Sequence, residues 1–161
     1  MKRRNFVLAT ATFSLSTWNT ARAAESQLTL DGDLNGGIPV NLADHDLLVL
    51  PQNHFETSTQ WTEKVHRFSG PVLVDLLDHY GAGPGDLQLA AINDYNVTVD
   101  RDLITRDATI SANRMDGLPF SRRDKGPLWV VFPYDRGVKY QRELVYFASV
   151  WQLSQITMLG E

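Results

Sequence analysis

The sequence predicts an α+β domain, mostly strand, set behind a short export signal. Three observations carry that expectation. Only one internal segment, Pro71 to Tyr80, combines an apolar stripe at helical spacing with helix punctuation at both ends. Elsewhere, short apolar and β-branched runs alternate with turn chemistry at Asp31-Gly32, Asn93-Asp94-Tyr95-Asn96 and Asp116-Gly117. No repeat, low-complexity tract or internal linker divides the chain, so one layered unit of strands with few helices accounts for it.

The first residues are read as a signal peptide. Lys2, Arg3 and Arg4 form a basic start, Phe6 to Trp18 is weakly apolar, and Ala21-Arg22-Ala23 has the form of a cleavage site. Residues 1–23 are too short and too rich in Thr and Ser to span a membrane. Arg3-Arg4-Asn5-Phe6-Val7-Leu8 resembles the twin-arginine translocation pattern, and Arg22 beside the cleavage site fits that route; an ordinary secretory signal is the other reading. The expected location is the periplasm, with residues 24–161 as the mature domain. Four of the 15 basic residues lie in the signal and none of the 19 acidic ones does, so the mature chain carries 11 cations against 19 anions, a charge of −8. An acidic domain without a Lys/Arg cluster is a poor partner for nucleic acid or anionic lipid. Cysteine is absent, which removes both disulfides and thiolate chemistry.

Leu28-Thr-Leu30 followed by Asp31-Gly32 reads as a first strand and turn, and Asn35 to Pro39 as a loop. Asp44 to Leu50 is a short helix or a strand entering the core. Pro51 to Trp61 is polar, aromatic and unperiodic, either a loop or a strand bordering a site. In the helix from Pro71, the expected cap is Ser69 or Gly70, and Pro71 occupies the first turn, where its missing N–H costs nothing. Val72, Leu73, Leu76, Leu77 and Tyr80 form its apolar stripe, and Gly81 ends it. Gly81 to Gly85 lacks the lysine and spacing of a phosphate loop and reads as a plain connection. Leu87 to Ile92, the Asn93–Asn96 turn and Val97 to Val99 make a hairpin. Asp107 to Met115 offers a further strand, and Glu143 to Met158, β-branched and aromatic, reads as one or two closing strands rather than a helix.

Arg114 to Asp135 is the stretch around which the rest is arranged. Asp116-Gly117 suits a type I′ turn, whose two central residues need positive φ. A charged loop, Ser121 to Lys125, leads into Pro127 to Phe132, an apolar run closed by Pro133. That run reads as a strand buried on both faces in the middle of a sheet, with residues 114–123 and 133–137 near the rim of any pocket.

The order of these signals resembles the sulfite oxidase-type molybdopterin-binding domain. Phe68-Ser-Gly-Pro-Val-Leu-Val-Asp-Leu-Leu77 is similar to that family's helix start, and Asn93-Asp94-Tyr95 sits where it has a DGY turn. Met115-Asp-Gly-Leu-Pro119 resembles its N-G-x-P-L turn, and Gly126-Pro127 to Pro133 its Gly-Pro strand, so the resemblance runs over roughly residues 28–158. It implies a fold of mostly β structure with few helices. It also implies a molybdenum-ligating cysteine, whose place falls near Ser58. No cysteine is there, and a hydroxyl does not replace a thiolate on molybdenum. Leu128-Trp129 stand where the family has an arginine.

What the resemblance then implies is the cysteine-free small periplasmic branch: proteins without catalytic residues or metal that bind a free, tetrahydropterin-like pterin. These report it to the periplasmic domain of an inner-membrane signalling protein that controls cyclic-di-GMP. A molybdopterin-dependent oxidoreductase, or its accessory subunit, is the alternative. A pterin needs an aromatic wall and an acceptor or donor pair at its 2-amino-4-oxo edge. Within Asn53 to Trp61, the candidates are Glu56 for the edge, Trp61 for the wall (or for the core), His54 as a donor, and Ser58 and Thr59 lining the vacated position. Arg114 is a candidate rim donor. His45, His54, His66 and His79 show no zinc spacing, and no G-x-S-x-G elbow is present.

Overall fold

Backbone pairing in the computed structural model, which describes residues 25–160, joins the first and last strands of that span in one sheet. The expected export signal lies outside the described residues. The elements in order are β1 (Leu28–Gly32), β2 (Val40–Leu42), α1 (Asp44–Leu48), β3 (Gln52–Thr57), β4 (His66–Pro71), α2 (Leu73–His79), β5 (Leu87–Ala91), β6 (Asn96–Val99), β7 (Ile110–Ala112), β8 (Arg114–Met115), β9 (Trp129–Val131), α3 (Glu143–Ala148) and β10 (Leu153–Met158). This is an α+β architecture, mostly sheet, with short helices. Among the described residues no helix is long and apolar enough to cross a membrane.

The main sheet runs β2-β1-β10-β5-β6. β1 and β10 are parallel, Thr29 opposite Gln155, and the other pairs are antiparallel. A second sheet, β3-β4-β8, carries the row Phe55–Phe68–Met115 toward the core and the row His54–Ser69–Arg114 on its other face. The third sheet pairs β7 with β9. Phe68, Trp129, Phe132 and the α2 leucines Leu73, Leu76 and Leu77 are at most 1% exposed and belong to one continuous apolar core.

Several expectations change. The run Leu128 to Phe132 is fully buried, but it lies between β7 and the Val150–Trp151 segment, and the middle of the main sheet belongs to β10. The α2 helix begins later than expected. Ser69, Gly70 and Pro71 stay extended in β4, and Val72 is the N-cap, without a side-chain cap. A strand in the register of β3 holds them more strongly than local capping preference does. Residues 107–115 split into two short strands in different sheets, with Asn113 between them donating its N–H to the Ser69 carbonyl at 3.0 Å. Glu143–Ala148 is helical. Val145 and Ala148 are buried and Tyr146 packs partly against the core, while Leu144 and Phe147 point out, and the outward apolar residues obscured the helical period.

Other expectations hold. α1 forms, with the Asp46 carboxylate accepting the Ala43 N–H at 2.8 Å and acids in its first turn, where the helix dipole favours them. The β5–β6 hairpin forms as read. Asp116 (φ 54°) and Gly117 (φ 83°) make the tight turn, and Met115 and Leu118 exchange backbone bonds at 2.9 and 3.1 Å.

Candidate ligand-binding site

Strand β3 leads into the site. Along it the side chains alternate, Phe55 and Thr57 inward and His54 and Glu56 outward. At its end the chain is gripped by Asp135, whose carboxylate accepts the Ser58 N–H and the Ser58 hydroxyl, each at 2.6 Å. Those two bonds hold the Asp135 pKa below the usual carboxylate range. The Asp135 N–H in turn donates to Thr57 Oγ1 at 3.2 Å. Thr59 Oγ1 then accepts the Trp61 N–H at 3.1 Å, which turns the indole inward. Trp61 meets Trp129, Tyr146 and Tyr134 edge-on, with centroids 5.8, 6.0 and 6.4 Å apart.

Two hollows flank this loop. The first, about 310 Å³, is walled by Trp61, Tyr95, Tyr146, Phe147 and Trp151, with the amides of Gln60 and Asn93 as its polar groups; the Asn93 carbonyl also accepts the Tyr95 N–H at 3.3 Å. Ser149 also reaches it, but its hydroxyl is consumed: it accepts from Tyr134 and donates to the Val145 carbonyl, both at 2.6 Å. Burial pushes the pKa of that Tyr134 hydroxyl well above the phenolic range, so it stays protonated. The second hollow, about 260 Å³, is polar and lined by Ser58, Thr59, Tyr134, Asp135 and Gln141. Gln60 and Tyr146 line both.

Of the residues singled out in the sequence, Trp61 faces the aromatic hollow and Ser58 and Thr59 the polar one. His54 and Glu56 stand on the outer face of β3 and line neither hollow. Arg114 is held by Asp44: Nη1 and Nη2 donate to the two carboxylate oxygens at 2.8 and 2.6 Å. The pair lowers the Asp44 pKa and raises that of Arg114, chiefly through these bonds, and ties α1 to β8. The loops at the two ends of β9 do not share a hollow. Met115 and Arg123 line an open depression with Lys64, His66 and Lys125, while Tyr134 and Asp135 line the polar hollow. They leave opposite ends of a strand and diverge.

Sequence reasoning missed Gln60, Asn93, Tyr95, Tyr146, Phe147 and Trp151. Asn93 and Tyr95 were legible only as turn residues, and no local pattern brings residues 93–95 and 146–151 beside Trp61. Among the described residues, no group of three or more His, Cys, Asp or Glu side chains converges as a metal site. With cysteine absent as well, the side chains present do not fit a thiolate-bound molybdenum centre.

No protein-family model matches the chain, and no curated protein does. Among solved structures, the chain is similar in fold to the sulfane dehydrogenase SoxCD from Paracoccus pantotrophus. The TM-score is 0.63 at 15% identity over 84% of this chain. The match spans 38% of the length of that dehydrogenase chain.

Proposed function

We propose that the protein binds a free pterin in the aromatic hollow and acts through a protein partner, without redox chemistry of its own. The observation that carries this reading is the wall of five aromatic side chains around about 310 Å³, with two amides at its polar positions. That volume lies near the lower end of small-molecule sites, roughly 300–1,000 Å³, and suits a flat bicycle. An amide offers an N–H beside a carbonyl, the complement of a pterin edge that presents a carbonyl beside N–H groups. A carboxylate supplies acceptors alone. Gln60 and Asn93 therefore take the edge-reading role that the sequence assigned to Glu56, and Trp61 keeps the role of aromatic wall.

The wider reading follows from the family resemblance. Export of residues 24–161 to the periplasm by the Arg3-Arg4 signal would place the module beside the outer domain of an inner-membrane enzyme of cyclic-di-GMP. The fold likeness to a dehydrogenase chain supports the alternative, an oxidoreductase or its accessory subunit. As an oxidoreductase the chain would need a metal ligand set which these side chains do not offer; as an accessory subunit it would need none.

Titration of the purified protein with reduced and oxidised pterins, followed by ligand fluorescence, tests the proposal. Saturable binding that weakens in Asn93→Ala and Gln60→Ala is the expected result. Absence of binding at high micromolar pterin overturns it.

A further inference from the structure

Strand β6 is an edge of the main sheet, and its outer side faces a groove rather than open solvent. The Ala91 N–H donates to the Tyr95 carbonyl at 2.9 Å, which sets the alternation of the ladder. By that alternation Val97 and Val99 spend their backbone groups on β5, and the N–H and C=O of Asn96 and Thr98 point away from the sheet. No strand or loop among the described residues pairs with them. The groove, about 350 Å³, runs along Val97, Thr98 and Val99 and is walled on its far side by Leu144 and Phe147 of α3. Those two side chains, three residues apart on one helix face, are 65% and 49% exposed.

Unpaired backbone groups along an edge, with an apolar helix wall opposite, are what an added strand needs. The ladder supplies affinity and alternate side chains supply selectivity. The charges decide the occupant. Asp94 precedes the strand and Asp100 and Asp102 follow it, all exposed, with Arg142 as the single cation lining the groove. A second copy of this chain, paired antiparallel about a two-fold axis, would set Asp94 of one strand near Asp100 and Asp102 of the other. Like charges across a ladder are destabilising. The complementary occupant is an extended segment with apolar residues at alternate positions and Lys or Arg at its ends.

We infer that the β6–α3 groove docks such a segment of a partner protein as a sixth strand of the main sheet. It rests on β6 and Leu144, which do not line the aromatic hollow; Phe147 is the one wall residue common to both.

The test selects binders for the purified protein from a display library of randomised nine-residue linear peptides. Enriched peptides are synthesised, and their binding is followed by amide hydrogen exchange. Alternating apolar positions flanked by Lys or Arg are expected, with slowed exchange at Asn96 and Thr98. Leu144→Glu should weaken that binding at least about tenfold without lowering the melting temperature. Thr98→Pro removes an N–H that points away from β5, so the hairpin tolerates it and the docked strand does not. No enrichment, enriched peptides without that pattern, unchanged exchange at these amides, or unchanged affinity in a folded Leu144→Glu variant each overturn the proposal. So does sedimentation showing a dimer that Leu144→Glu dissolves, which would make the occupant a second copy.

Discussion

At the scale of single residues, Trp61 walls the aromatic hollow and also packs edge-on against Trp129, Tyr134 and Tyr146. Trp61→Ala is therefore expected to do two things: lower stability by about 2–4 kcal/mol in urea unfolding and weaken pterin binding by about 1–3 kcal/mol. Asn93 separates the two effects. It is exposed and its one side-chain bond, accepting the Tyr95 N–H, is long at 3.3 Å, so Asn93→Ala should lower stability by no more than about 0.5 kcal/mol. The lost hydrogen bond to ligand should cost about 1 kcal/mol of affinity. Asp44 gives a pH signature. Its folded pKa is depressed, first by the hydrogen bonds from Arg114, below the ordinary value of 3.8. The stability it contributes is thus fully present above that value and is lost as pH falls below 3.8 and through the lower folded value. Asp116 and Asp135 are also depressed, but both are exposed, and solvent screening leaves them a small share. Melting curves between pH 7 and pH 2 should show Asp44→Asn less stable at pH 7 and less steeply destabilised by acid. Identical slopes for the two proteins would remove the pair from the account.

Among the elements, β4 is the most constrained. A Cβ at Gly70 would run into the Ser111 carbonyl and come within 2.8 Å of the Ala112 Cα, so β4 and β7 approach as closely as they do only because the residue is glycine. Gly70→Ala is expected to cost about 3 kcal/mol or more, read from the urea midpoint, or to prevent folding. That requirement was not legible, since Gly70 sits beside Pro71 and an apolar stripe and local chemistry reads it as a helix cap. The readable elements were those fixed within a few residues: the Asp116-Gly117 turn, the β5–β6 hairpin, and the body of α2 with Gly81 after it. The unreadable ones depended on distant partners. Residues 143–148 are helical because Val145 and Ala148 find the core, although their outward neighbours Leu144 and Phe147 are equally apolar. The site shows the same division. Ser58, Thr59 and Trp61 belong to one continuous loop and were found together, whereas Asn93, Tyr95 and Tyr146 reach it only through tertiary structure.

For the whole molecule, the fold class and the mostly strand character followed from composition and punctuation, while the order of strands did not, because nothing local says that β10 inserts between β1 and β5. The absence of thiolate carries a further expectation: protein purified from its native host should contain no stoichiometric molybdenum, and elemental analysis near one atom per chain would favour the oxidoreductase alternative. The central place of β10 has a consequence in time. During synthesis β1–β2 and β5–β6 emerge as separate two-stranded ribbons, each marginal alone, with no ladder between them. The strand that unites them comes after every other element among the described residues, and its pairing of Thr29 with Gln155 closes nearly all of them into a loop. A chain still held on the ribosome before Met158 has cleared the exit tunnel should therefore remain open to protease along most of its length, and native protection should arrive in one late step rather than by increments.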